Sequence, residues 1–215
     1  MKITAIRTYP VQPRWLFVKI ETDAGLSGWG ECLGDKAHVI AAAVHSYETS
    51  LIGEDPARIV HIWQSLFRGA FWRGGPTLCA AISGIEIALW DIKGKALGVP
   101  VYELFGGPTR DVIPMYWSHC GTTRVRHHEM VGAPPIYSWA DVTALGKEVV
   151  ARGFTALKTN IVMPGKVGTW FSGFDGSMGP NDEWVPNWLL AHIEKHIGTL
   201  RDAVGPDVDI NLDLN

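Results

Sequence analysis

Apolar and polar residues alternate with a period of two from Ile3 to Tyr9 and from Trp15 to Thr22, and a third such run, Leu26 to Glu31, follows the turn Asp23-Ala24-Gly25. This pattern predicts an antiparallel meander of three strands, with Pro10 to Arg14 as its first connection. After Glu31 the period becomes helical, with Val39, Ile40, Ala43, Val44 and Tyr47 on one side. Asp55-Pro56 reads as a helix start with Pro at the first helical position, ahead of the stripe Ile59, Ile62, Trp63, Leu66 and Phe67. Thr77 to Leu97 is the most apolar helical stretch, and a short turn around Pro100 leads to Gly106-Gly107.

From Asp111 strands and helices alternate. Val112 to Trp117 predicts a strand running into Ser118-His119-Cys120-Gly121, followed by a long loop with Arg124, Arg126, His127, His128 and Tyr137. In an extended segment the adjacent His127 and His128 point apart, which argues against a shared metal. Ser138 can cap a helix from Trp139 to Arg152, and Gly153 to Asn160 is the next strand. Ile161 to Pro186 reads as a second long loop, rich in Gly and carrying Trp170, Phe171, Phe174 and Trp184; loops of this length are usually lids or binding loops. Trp188 to Val204 is helical, Gly205-Pro206 stops it, and Val208 to Asn215 is a third strand. Strand, helix, strand without hairpin turns implies a parallel sheet with right-handed crossovers.

Strand parity then locates candidate chemistry. Phe154, Ala156, Lys158 and Asn160 share one face, and Asn211, Asp213 and Asn215 share a face opposite Ile210, Leu212 and Leu214. Polar side chains on the inner face of a buried strand are costly unless paired or bound to a ligand. Lys158, Asn160 and Asp213 fall at the carboxyl ends of their strands, where α/β folds build sites.

Composition narrows the partners. The chain has 215 residues, enough for one large domain or two small ones, with 47% hydrophobic and 19% charged residues. A net charge of −3 with no basic block argues against nucleic acid or an anionic membrane surface and for a small molecule. Cys32, Cys79 and Cys120 form no C-x-x-C, so neither a disulfide framework nor a zinc site is suggested and a reducing cytoplasm fits. The start lacks a signal-peptide core, and no run is long enough to span a membrane.

Trp90-Asp91-Ile92-Lys93-Gly94-Lys95, Val101-Tyr102-Glu103-Leu104-Phe105-Gly106-Gly107, Tyr116-Trp117-Ser118-His119, Lys158-Thr159-Asn160 and Asp213-Leu214-Asn215, in this order and behind an antiparallel start, resemble the mandelate racemase and muconate lactonizing enzyme branch of the enolase superfamily. The resemblance implies an α+β capping domain (1–110) followed by the first three β/α units of a modified TIM barrel (111–215), an incomplete barrel. It also implies Mg²⁺-assisted abstraction of the proton α to a carboxylate. Lys158 matches the first Lys of the family's Lys-x-Lys, which contacts the substrate carboxylate; Asn160 matches the second, often the base, and cannot take a proton. Asp213 matches the first metal-binding carboxylate. The remaining ligands and the base would lie beyond Asn215. His119, Arg124, Arg14 and Trp170 are candidate substrate contacts, and Asp35 and Lys36 candidates for specificity. Each has an ordinary alternative: a strand-end ion pair for Lys158, a helix N-cap for Asp213, a satisfied structural His119, and solvated arginines.

The expected function is an acid-sugar dehydratase, a lyase giving a 2-keto-3-deoxy acid. The missing base at Asn160 and the polar, aromatic loops favour it. Alternatives are an epimerase, racemase or cycloisomerase of the same superfamily, and an inactive fragment or binding protein, since three strands cannot close a barrel. A homo-oligomer is expected from the family.

Overall fold

The computed structural model describes residues 1–34, 36–165 and 186–213, and the backbone of 169–170. It divides into two compact units, Met1–Asp111 and Val112–Asn215.

The first unit opens with the expected meander: β1 (Ile3–Val11), β2 (Trp15–Thr22) and β3 (Ser27–Cys32) pair antiparallel in that order. Ile6, Leu16, Val18, Ile20 and Cys32 turn to the core, as the alternation requires. Against them pack α1 (Ala37–Ser46), α2 (Glu48–Leu51), α3 (Ile59–Gly69) and above all α4 (Pro76–Leu97), with Pro76 in its first turn. Pro56 does not start a helix. Asp55 instead accepts from Ala57 N at 3.0 Å and Arg58 N, forming a turn, and α3 begins at Ile59. The Trp90–Lys95 stretch anchors the sheet edge. Asp91 accepts from Trp29 N at 2.8 Å and from Lys95 Nζ at 2.7 Å, while Lys95 also donates to Ser27 O at 2.9 Å. These bonds satisfy backbone groups of β3 that no neighbouring strand takes up.

In the second unit β4 (Ala156–Thr159) and β7 (Asp209–Leu212) pair in parallel, joined through α7 (Asn187–Val204). Between them in sequence, β5 (Ile161–Val162) and β6 (Thr169–Trp170) make a small antiparallel pair inside the stretch expected to be all loop. Helix α6 (Trp139–Ala151) carries the expected cap: Ser138 Oγ accepts from Asp141 N at 3.3 Å, and Asp141 Oδ2 accepts from Ser138 N at 2.9 Å.

Two further expectations are corrected by the second unit. Val112 to Trp117 is not a strand; only Trp117 forms a bridge, parallel to Leu157, and Val112 is 78% exposed. Its apolar run is strand-like, but among the described residues it pairs with a neighbouring strand only at Trp117. The stretch with Arg124, Arg126, His127 and His128 is not a loop but α5 (Thr122–Val131), kinked at His127. It starts behind Gly121, whose φ of 87° suits glycine, and docks through buried Thr122, Arg124 and Val125.

Candidate functional site

The site is built on β4. Thr159 and Leu157 point into the core, and Lys158, between them, points out of it. The segment Trp117–Cys120 fixes the backbone around Lys158, which donates from N to Trp117 O at 2.9 Å and accepts at its carbonyl from Cys120 N at 2.8 Å. Thr159 Oγ1 lies 2.7 Å from Cys120 O. Across the sheet, Asp213 N donates to Thr159 O at 2.8 Å, which sets Asp213 just past the end of β7, one position beyond the Thr159–Leu212 pair.

The side chains of Lys158 and Asp213 meet, with Nζ 2.6 Å from Oδ2, and they are 30% and 26% exposed. Parity had placed both on the site face, and the structure joins them directly. The hydrogen bond from Lys158 to Asp213, partly opposed by desolvation, holds the amine above its usual pKa. Lys158 is therefore an ammonium at neutral pH, a cation for an anion and no base.

Asn160, which the sequence reading already excludes as a base, is buried between other segments. It is 2% exposed, accepting at Oδ1 from Thr122 Oγ1 (2.9 Å) and donating from Nδ2 to Asp213 O (3.2 Å). It clasps three chain segments together, with neither the basicity nor the exposure to take a substrate proton.

The other candidates scatter. His119 stands at the turn after Trp117 with a φ of 52°, and its Nδ1 is 2.9 Å from Ser118 Oγ. Arg124, expected on an open loop, is 8% exposed and pairs with Glu148 at 2.7 Å, its guanidinium 5.6 Å from the Trp117 ring centroid. Arg152 takes the second Glu148 oxygen at 2.6 Å and lies over the same Trp117 ring, at 5.0 Å. Burial raises the Glu148 pKa, but the two arginines outweigh it and hold the carboxyl below its usual range. Arg14 lies in the first unit, lining a shallow pocket with Trp15, Glu31, Cys32, Leu33 and Gly34. The backbone of Trp170 belongs to β6, but its side chain lies outside the described residues, as do Asp35, Phe171, Phe174, Trp184, Leu214 and Asn215.

The sequence reading missed Thr122, Thr159 and the Arg124–Glu148–Arg152 cluster, which hold the site together. Only Glu148–Arg152, an i,i+4 pair, carried a sequence signal.

For a metal, Asp213 offers hard oxygen donors of the right kind. Among the described residues, however, no group of three or more His, Cys, Asp or Glu converges, and the Asp213 carboxylate is engaged by Lys158. The described donor set does not make a Mg²⁺ site by itself. Also among the described residues, no helix is long and apolar enough to cross a membrane.

Residues 3–106 match the family model for the mandelate racemase / muconate lactonizing enzyme N-terminal domain. The chain is 50% identical over 161 residues to a D-galactonate dehydratase of Ralstonia nicotianae, covering 74% of this chain and 38% of that protein. Among solved structures, a Burkholderia xenovorans protein provisionally named L-alanine-DL-glutamate epimerase, bound to magnesium and fumarate, superposes with a TM-score of 0.86 at 33% identity. That likeness covers 100% of this chain and 54% of the other. The 3,6-anhydro-D-galactonate cycloisomerase of Zobellia galactanivorans superposes with a TM-score of 0.73 at 28% identity, covering 99% of this chain and 51% of that one. The chain thus spans about half the length of these solved structures and less of the curated relative.

Proposed function

This chain belongs to the mandelate racemase/muconate lactonizing enzyme-like branch of the enolase superfamily, and from that premise we propose that it is the N-terminal part of a Mg²⁺-dependent acid-sugar dehydratase. The observation that carries this reading is the ammonium–carboxylate pair at the ends of two parallel strands, Lys158 beside Asp213, in a chain half-identical to a D-galactonate dehydratase over 161 residues.

In the proposed reaction the proton α to the carboxylate is removed, the β-hydroxyl leaves with a proton as water, and the resulting enol becomes a 2-keto-3-deoxy acid. Lys158, held protonated, would grip the substrate carboxylate and favour the extra negative charge that appears when the α carbon loses its proton. Asn160 keeps the ends of β4 and β7 in register through its bond to Asp213. Neither can act as the base, so the proton goes to another group. A divalent cation, for which Asp213 would be one ligand among others beyond this chain, would stabilise that same charge.

A single base favours dehydration over two-base racemisation, although the epimerase and cycloisomerase names among the structural neighbours keep those reactions as the second reading. The test is a screen of acid sugars, D-galactonate first, with the complete protein and Mg²⁺, detecting the keto acid. Keto-acid formation that Lys158→Met reduces by about a hundredfold or more is the expected result. Solvent deuterium exchange without keto acid would instead establish the second reading, and silence across the library would sink both.

A further inference from the structure

We propose that the outer flank of α3, with the loop that follows it, docks an acidic amphipathic helix of a partner protein. This surface belongs to the first unit, and the proposal stands apart from the reading of Lys158 and Asp213.

Helix α3 carries two apolar stripes. Ile59, Ile62 and Leu66 are buried in the core, while Val60, Trp63 and Phe67, at the same i, i+3 and i+7 spacing, lie on the neighbouring flank. Val60 and Trp63 are exposed and Phe67 is half-buried. The Trp63 and Phe67 rings stack, their centroids 5.6 Å apart and their planes 3° from parallel. The loop to α4 extends this stripe, because Gly74 returns beside Phe67, where a Cβ would stand 4.0 Å from the ring. In the same loop Phe71 and Trp72, 88% and 83% exposed, meet edge to face at 5.2 Å. At about 150–250 Å² a ring, these two alone reach the few hundred Å² at which an exposed patch marks an interaction site.

Charge selects the occupant. From Pro56 to Ile85 the sequence contains Arg58, Arg68 and Arg73 and no Asp or Glu. Of the acids just before this stretch, Glu54 lines a small pocket with His61 and Ser65 on the opposite flank of α3, and Asp55 is engaged by Ala57 N. Aromatic rings beside arginines, without acids, are the composition of a protein-interface hot spot. A stripe at helical spacing suits the apolar face of a partner helix, and Arg68 and Arg73 suit carboxylates along that helix's edges. A second copy docked through the same flank would bring arginines against arginines, a like-charge cost.

The probe is a labelled synthetic peptide of about twenty residues, long enough to form a helix, with leucines on one face and glutamates along its edges. It is titrated with the 215-residue chain by fluorescence anisotropy, and circular dichroism checks that each variant is folded. Saturable binding is expected, weakened roughly tenfold or more by Phe71→Ser combined with Trp72→Ser. Arg68→Glu combined with Arg73→Glu is expected to transfer the preference to a peptide with lysines in place of the glutamates. No saturable binding by the parent chain, or binding that survives the double serine change, overturns the proposal. So does a dimer of the chain alone, seen in sedimentation, that the serine changes abolish, since it would give this surface to a second copy. Tighter binding to phosphatidylserine vesicles than to the peptide would give it to a membrane and overturn the proposal equally.

Discussion

The side-chain amide of Asn160 donates to the main-chain carbonyl of Asp213 at 3.2 Å, bridging the ends of two parallel strands 53 residues apart in sequence. Its oxygen simultaneously accepts from Thr122, at the start of α5. Asn160→Ala would leave the buried Thr122 hydroxyl and the Asp213 carbonyl without these partners, a loss of about 2 kcal/mol. Asn160→Lys, which restores the type of residue the family uses as a base, is expected to destabilise further, because a charged amine would enter a site 2% exposed. Urea denaturation measures both; a stable Asn160→Lys chain would refute the clasp.

Glu148 and Arg124 form an ion pair in which removing either partner has unequal consequences. Without Glu148, Arg124 is left 8% exposed and unpaired with its acid; without Arg124, Glu148 still has Arg152 at 2.6 Å. Glu148→Ala is therefore expected to cost about 3 kcal/mol and Arg124→Ala less, in chemical denaturation. An equal or reversed ranking would show that the pair is not anchored through Glu148.

His196 is 1% exposed, its Nδ1 has no hydrogen-bond partner, and burial lowers its pKa from 6.5 to about 4. Above pH 6.5 the ring is neutral in both the folded and unfolded chain, and stability is unaffected. Between pH 6.5 and about 4 only the unfolded chain takes up the proton, so stability falls with pH, by a total on the order of 3 kcal/mol. His196→Gln is expected to flatten the pH dependence over this window relative to the parent chain. Identical slopes in denaturation at pH 5 and 7.5 would disprove the assignment.

Gly30 and Gly84 face each other where β3 meets α4. A Cβ on Gly30 would come within 1.9 Å of Gly84 O, and one on Gly84 within 2.3 Å of Cys32 Sγ. Backbone cannot step aside as a side-chain tip can, so Gly30→Ala is expected to cost about 3 kcal/mol or more. Tryptophan fluorescence during denaturation would register it, and a neutral effect would mean that the helix and sheet can separate.

Much of this was legible because it depends on local pattern. The meander follows from alternation between turn residues, α4 from the most apolar helical stretch of the chain, and the α6 cap from Ser138 ahead of its helix. Parity put Lys158 with Asn160 on one face of its strand and Asp213 with Asn211 on one face of its own. Helix α5 was illegible because Thr122–Val131 is polar and carries no apolar stripe, and it is docked by the pairing of Arg124 with a residue on another helix.

What the sequence determined by itself was periodicity, parity and residue chemistry: which elements form, which side chains share a face, and that Asn160 has no basicity. What only the tertiary structure decided was partnership. That Lys158 spends its charge on Asp213, that Asn160 is a buried clasp and that Arg124 is an internal ion pair each depend on segments dozens of residues apart. Such pairings are settled by the whole fold's need to satisfy every buried polar group, a condition that no stretch of the chain can meet alone.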